Sequence, residues 1–307
     1  MVAPVKKTKC FNIMGPQPNL HKSLKVEDRL GHGFTSNVFR SDALTSRPLA
    51  VKLACPGRVS PNKIRQVFMN EANFSIKFDH PNIIKIYGCG EYYDPSFITE
   101  EGNPPLPFLA SELLEGKPLD HYVKSSLQFP VLRALRVTRD IASALKAIHD
   151  KGYIHGDLKP GNVMFDHRTD HITLIDLSDP IKEGSVSKKE HLGTINYMAP
   201  ERRCTQEYDK TIDIYALGLT LYELLTGEGA LPHVHEINDP EKLKDHYFGF
   251  LARLDGSNLP LVVKELISRM TKILKEERFQ NAQDLIDAVD RVIEKLEAPK
   301  AASTDAA

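Results

Sequence analysis

The chain has 307 residues and a formal net charge of −1. It is long enough to bury a full core in one large or two small domains, and its balanced charge supplies no global basic field for nucleic acid or an acidic membrane surface. Four cysteines (Cys10, Cys55, Cys89, Cys204) stand far apart. They have neither paired zinc spacing nor the density of a disulfide framework, so reduced thiols and a cytoplasmic location are expected. No apolar core follows the N-terminal lysines, so no signal peptide is expected. The strongest apolar run, Ile214 to Leu225, is broken by Glu223 and is too short to span a bilayer.

In chain order, Met1 to His21 carries three prolines and little periodicity and reads as a flexible arm, placed at 1–22. Val26 to Leu30, Val38 to Arg40 and Leu49 to Leu53 read as strands between turn residues. Lys63 to Phe78 shows helical spacing through Ile64, Val67, Phe68, Ala72, Ser75 and Ile76. Tyr92 to Pro107 is rich in Pro, Gly and acidic residues and is expected to be a surface loop. Phe108 to Leu114 reads as a further strand. Pro130 to Asp150 is a long amphipathic helix with Pro130 in its first turn. Short strands and then long helices continue to Leu296, and the Ala- and Pro-rich tail, 297–307, is expected to be disordered. The fold class is therefore α+β, a small β-rich part followed by a larger helical one.

The chemistry concentrates in Tyr153-Ile154-His155-Gly156-Asp157-Leu158-Lys159-Pro160-Gly161-Asn162. An acid, a lysine two places on and an amide five places on suit phosphoryl transfer. The carboxylate can orient a hydroxyl, the lysine can meet a phosphate, and the amide can hold a metal ion. Leu174-Ile175-Asp176-Leu177-Ser178 adds a second acid at the end of an apolar strand. Gly31-His32-Gly33-Phe34-Thr35-Ser36-Asn37-Val38 lies between two strands, where glycines let backbone N–H groups approach phosphates. Alone it is a weak signal and reads better as a glycine-bearing hairpin. Lys52 ends an apolar strand, and Glu71 lies on the helix that follows. Gly193-Thr194-Ile195-Asn196-Tyr197-Met198-Ala199-Pro200-Glu201, Asp213 to Gly218 and Glu277-Arg278-Phe279 come later in order.

Taken together, these motifs resemble the eukaryotic-type Ser/Thr protein kinases from about Ser23 to about Leu296. The resemblance implies the bilobal kinase fold, with an N-lobe at about 23–114 and a C-lobe at about 115–296. It also implies ATP with Mg²⁺ or Mn²⁺, and protein substrates bearing Ser or Thr, with no nucleic acid and no membrane span. Asp157 would orient the substrate hydroxyl and Lys159 would steady the γ-phosphate. Asn162 and Asp176 would hold metal, and Lys52 would meet the phosphates while paired to Glu71. Gly31, Gly33, Val38, Ala50, Lys52, Ser111, Glu112 and Leu114 would line the nucleotide. Ser111 would close the back of the adenine pocket, and Glu112 and Leu114 would offer backbone hydrogen bonds. Glu201 and Arg278 would form a buried pair, and Asp213 would support the catalytic loop. Thr194 would serve the site itself.

The departures from the family pattern are Ser36 for a third glycine, Gly156 for an arginine, Ser178 for a glycine, and Ser75 for an apolar residue. Two other readings share the fold. A small-molecule kinase would also carry His-Gly-Asp, but it lacks Thr194 to Glu201 with Asp213 and Arg278. A non-catalytic scaffold is opposed by the presence of Lys52, Glu71, Asp157, Asn162 and Asp176.

Overall fold

The computed structural model describes residues 12–13, 28–33, 36–42, 44, 48–55, 60–94, 99, 102, 104–125, 127–178, 180–185, 194–204, 208–231 and 240–298. The chain divides into two compact units, Met1–Glu115 with Ile175–Asp179, and Gly116–Leu174 with Pro180–Ala307.

The first unit is built on a six-stranded sheet. Its strands are β1 (Asn12–Ile13), β2 (Arg29–His32), β3 (Ser36–Ser41), β4 (Leu49–Ala54), β5 (Ile86–Tyr92) and β6 (Leu106–Glu112), in the order β1-β5-β6-β4-β3-β2. Neighbours run antiparallel except β1 and β5. In β4 every residue but Lys52 is buried, which explains why Leu49 to Ala54 reads as a near-continuous apolar run rather than an alternation.

Helix α1 (Pro61–Ser75) lies on β5 and β6. Ser60 caps it by accepting the Lys63 N–H at 3.4 Å, and Pro61 fits the first turn, where no N–H is needed. Ile64, Phe68 and Ala72 fall on one face at helical spacing and join Val51, Phe108 and Leu109 in one core. Each large apolar side chain buried there stabilises the unit by roughly 1.5–3 kcal/mol.

The second unit holds a three-stranded sheet, ordered β10-β9-β7, and a two-stranded one, β11-β8. The strands are β7 (Lys117–Pro118), β8 (Tyr153–Ile154), β9 (Val163–Asp166), β10 (His171–Leu174) and β11 (Ile181–Lys182). Its helices are α2 (Leu119–Lys124), α3 (Val131–His149), α4 (Pro200–Cys204), α5 (Thr211–Thr226), α6 (Pro240–Gly256), α7 (Leu261–Met270) and α8 (Ala282–Glu297). Helix α5 packs against α3 and α7, and Thr211 through Leu225 are buried on every face. The Ile214 to Leu225 run is thus a core helix. At Gly218 a Cβ would lie 2.7 Å from Thr271 Cγ2 and 2.8 Å from Met270 Cβ, so glycine lets the end of α7 approach the α5 backbone. Among the described residues no helix is long and apolar enough to cross a membrane.

Several expected boundaries shift. The arm over 1–22 is described only at Asn12 and Ile13, and these form a strand on the β5 edge, where their backbone groups gain partners. Of the strand expected from Val26, only Arg29 onward is described as strand. Helix α1 starts earlier, at its Ser60 cap, and stops three residues before Phe78. The loop expected over Tyr92 to Pro107 begins and ends in strand, with Tyr92, Leu106 and Pro107 buried. The Tyr92 hydroxyl donates to the Ala54 carbonyl, and β6 ends at Glu112 rather than Leu114. Strand β5 has no counterpart among the expected strands because Gly88 and Gly90 interrupt its apolar pattern. Helix α8 continues through Glu297, whose carboxylate meets Arg136 at 2.6 Å. The tail beyond Ala298, the loop tip Phe34-Thr35, Ser187 and Gly193 lie outside the described residues.

Candidate active site

In the second unit, β8 delivers the chain into the loop His155 to Lys159, and one 3-10 turn, Pro160–Asn162, returns it to β9. Asp213, buried in the first turn of α5, holds this loop by its backbone. It accepts the N–H of His155 and of Gly156, each at 2.9 Å, and its Oδ2 lies 2.8 Å from His149 Nε2. Burial alone would raise its pKa; the bond and charge of His149, with His155 and the Gly156 N–H, hold it below the usual 3.8. His155 is buried, and its Nδ1 accepts the Asp157 N–H at 3.2 Å.

Asp157 is the centre of the loop's polar network. Its Oδ2 accepts Lys159 Nζ at 2.7 Å and Asn162 Nδ2 at 3.3 Å, and its Oδ1 accepts the Thr194 N–H at 2.7 Å. Lys159 also donates to Thr194 Oγ1 at 2.6 Å. The Asn162 amide nitrogen further donates to the Asp157 carbonyl at 2.9 Å. That nitrogen is committed to Asp157, so the carbonyl oxygen is the end of the amide with the chemistry to meet a cation.

In the first unit, Lys52 Nζ lies 2.7 Å from Glu71 Oε2, with the lysine side chain 23% exposed and the glutamate 3%. Burial acts to lower the pKa of Lys52, but Glu71 and Asp176 overcome it, and the ammonium is held charged. Burial pushes Glu71 up, countered by Lys52 and reinforced by Asp176. Asp176 itself accepts the Ser178 N–H at 3.1 Å.

The expected nucleotide-lining residues lie along the same sheet. Val38 is opposite Lys52 across β3 and β4, and Gly31 is opposite Val38 across β2 and β3. The Gly33 N–H donates to the Ser36 carbonyl at 2.7 Å. Ala50 and Ser111 face each other across β4 and β6, and the buried Ser111 hydroxyl donates to the carbonyls of Glu112 (3.2 Å) and Ala50 (3.5 Å). Glu112 uses its N–H on the Lys85 carbonyl and its carboxylate on the Lys85 N–H, while Leu114 follows the strand end, half-buried.

The structure thus gathers two groups, Asp157, Lys159, Asn162 and Thr194 in one unit and Lys52, Glu71 and Asp176 in the other. No cluster of three or more His, Cys, Asp or Glu able to hold a metal occurs among the described residues.

Two further polar contacts lie in the second unit. Arg278, fully buried, grips Glu201 with two bonds of 2.6 and 2.8 Å. Glu223, which the apolar run presents only as an interruption, is buried and accepts the Tyr197 hydroxyl at 2.7 Å and the Ala230 N–H at 2.9 Å; burial raises its pKa. The signal was present, because a carboxylate inside a wholly apolar helix must find partners.

A family model of the protein kinase domain matches residues 24–289. The chain is 29% identical over 94% of its length to the serine/threonine-protein kinase PknB of Mycobacterium leprae, covering 46% of that protein. It is 30% identical over 92% of its length to PknB of Mycobacterium tuberculosis, covering 45% of that protein. It is 29% identical over 64% of its length to the serine/threonine-protein kinase PrkC of Bacillus subtilis, covering 29% of that protein. The chain spans less than half the length of these relatives. With the family model covering most of its length, the chain belongs to the protein kinase family.

Proposed function

We propose that this chain transfers the γ-phosphoryl group of ATP to Ser and Thr hydroxyls of protein substrates, using a catalytic loop with glycine, not arginine, before Asp157. The observation that carries the reading is the bonding of Asp157, Lys159, Asn162 and Thr194 into one network. Asp157 accepts the hydrogen bond of the incoming hydroxyl and orients its oxygen. Lys159, held between Asp157 and Thr194, steadies the transferred group and favours a short Ser or Thr hydroxyl there. Lys52, kept charged beside Glu71 and Asp176, meets the phosphates, and Asp176 and Asn162 hold Mg²⁺ or Mn²⁺. When bound, metal–ATP supplies the phosphoryl group and neutralises its developing charge. The protein's part is positioning and electrostatic stabilisation.

The same reading sets the kinase domain at 23–296 and places the reaction in the cytoplasm, where ATP and reduced thiols coexist. Glu201 paired with Arg278 favours it over a small-molecule kinase. The test is labelled ATP with Mg²⁺ and a general protein acceptor, followed by phosphoamino-acid analysis. Label on Ser and Thr in the wild type supports the proposal. Label on a small molecule alone, or none on protein, refutes it.

A further inference from the structure

We propose that Arg202 is a positioning residue that locks the catalytic loop from the side of α4. Gly156 has φ +79°, a region suited to glycine, and a Cβ there would approach Ile181 Cδ1 to 2.8 Å. The position therefore carries no charged side chain. A cation reaches it from elsewhere in the unit: Arg202 Nη1 donates to the Gly156 carbonyl.

The consequence follows from peptide planarity. The Gly156 carbonyl and the Asp157 N–H are the two poles of one rigid unit. Arg202 holds the oxygen pole, and His155 Nδ1 accepts from the nitrogen pole. The preceding N–H, that of Gly156, is fixed by Asp213. The plane leading into Asp157 is thereby set from both ends, and with it the direction in which the carboxylate leaves the backbone.

Arg202 is itself placed. It lies over the Tyr208 ring with 5.5 Å between guanidinium and centroid, and it follows Glu201, which Arg278 anchors. A charge-assisted bond to a carbonyl is stronger than a neutral one. A cavity of about 10 Å³, room for one water, is lined by Gly156, Asp157, Thr194, Tyr197, Arg202 and Asp213 among others. Truncating Arg202 therefore removes a clamp at the rim of a small void.

The inference rests on the proposed activity for its kinetic readout and on geometry alone for its second. The full chain is compared as wild type, Arg202→Ala and Arg202→Lys, by amide hydrogen exchange over 153–162 and by steady-state transfer. Arg202→Ala should speed exchange at Gly156 to Leu158 and lower kcat about tenfold, equivalent to about 1.4 kcal/mol, with KM for ATP within about twofold. Arg202→Lys, which keeps a cationic donor, should recover most of both. Should Arg202→Ala fail to fold, Arg202→Met, which keeps the stem, carries the same expectation. Unchanged exchange in the Ala or Met variant overturns the inference. So does an equal loss in the Lys variant with a general rise in exchange across the unit, which would mark Arg202 as structural only. A wild type without transfer activity would defeat the functional reading, and the exchange result would still decide the clamp.

Discussion

Two ion pairs, one in each unit, use the same chemistry and end in different states. Glu201–Arg278 is closed. The guanidinium is fully buried, spends two bonds on the carboxylate and others on the carbonyls of Lys272 and Ile273, and stacks 4.9 Å from the Tyr215 ring. Lys52–Glu71 is open. Its ammonium is 23% exposed, meets Glu71 through a single oxygen and also feels Asp176, so two acids face one base. A pair with matched charge and all donors used is a structural rivet. A pair with surplus negative charge and an exposed cation suits a ligand that brings both phosphate and metal. Breaking a buried pair by removing one partner typically costs about 3–5 kcal/mol, but that penalty shrinks where the survivor can neutralise itself.

The largest expected contrast follows from this. Lys52→Met should reduce transfer about a hundredfold or more while the unfolding midpoint moves little, because Glu71, already pushed up by burial, can take a proton. Arg278→Met should destabilise the second unit by about 3–5 kcal/mol in urea unfolding. Similar stability losses in the two variants would break the comparison.

The next prediction concerns acid. Asp213 has its folded pKa depressed below 3.8. Its contribution to stability is therefore complete above the unfolded value and is lost as pH falls through the folded one. Urea midpoints measured from about pH 5 down to about pH 3 should fall less steeply for Asp213→Asn than for the wild type. Parallel slopes would show that Asp213 is not the titrating group.

A smaller effect is expected at Ser75, one turn beyond Glu71 on α1. Its hydroxyl is buried and has no hydrogen-bond partner among the described residues. Deleting an orphaned buried donor removes a desolvation penalty of about 1–3 kcal/mol, offset by the small void left behind. Ser75→Ala should stabilise the first unit by about 1 kcal/mol. A loss of stability would mean that the hydroxyl is satisfied. The smallest effect is expected from Ser185→Ala with Ser187→Ala. Gly156 offers no charge to receive a phosphate, so phosphatase-treated protein should keep its rate within about twofold. A fall of about tenfold (about 1.4 kcal/mol) would point to another phosphate receiver.

What the sequence made legible was contiguous or regularly spaced. Asp157, Lys159 and Asn162 share one loop, so their order alone suggests their chemistry. Lys52 lies within the apolar strand β4, and Glu71 sits on a periodic helix. What stayed hidden depends on partners that leave no pattern. Arg202 bonds a backbone carbonyl in another segment, and any residue has such a carbonyl. Tyr197 and Glu223 meet only after α5 is packed. The pairing of Asn12 and Ile13 on β5 depends on an open sheet edge that no local composition announces.

The most direct test separates binding from chemistry at Asp157. Metal–ATP affinity and single-turnover transfer are measured on the wild type and Asp157→Asn. The variant should bind metal–ATP within about threefold of the wild type and transfer about a hundredfold more slowly or less. Transfer by Asp157→Asn at the wild-type rate would contradict the account.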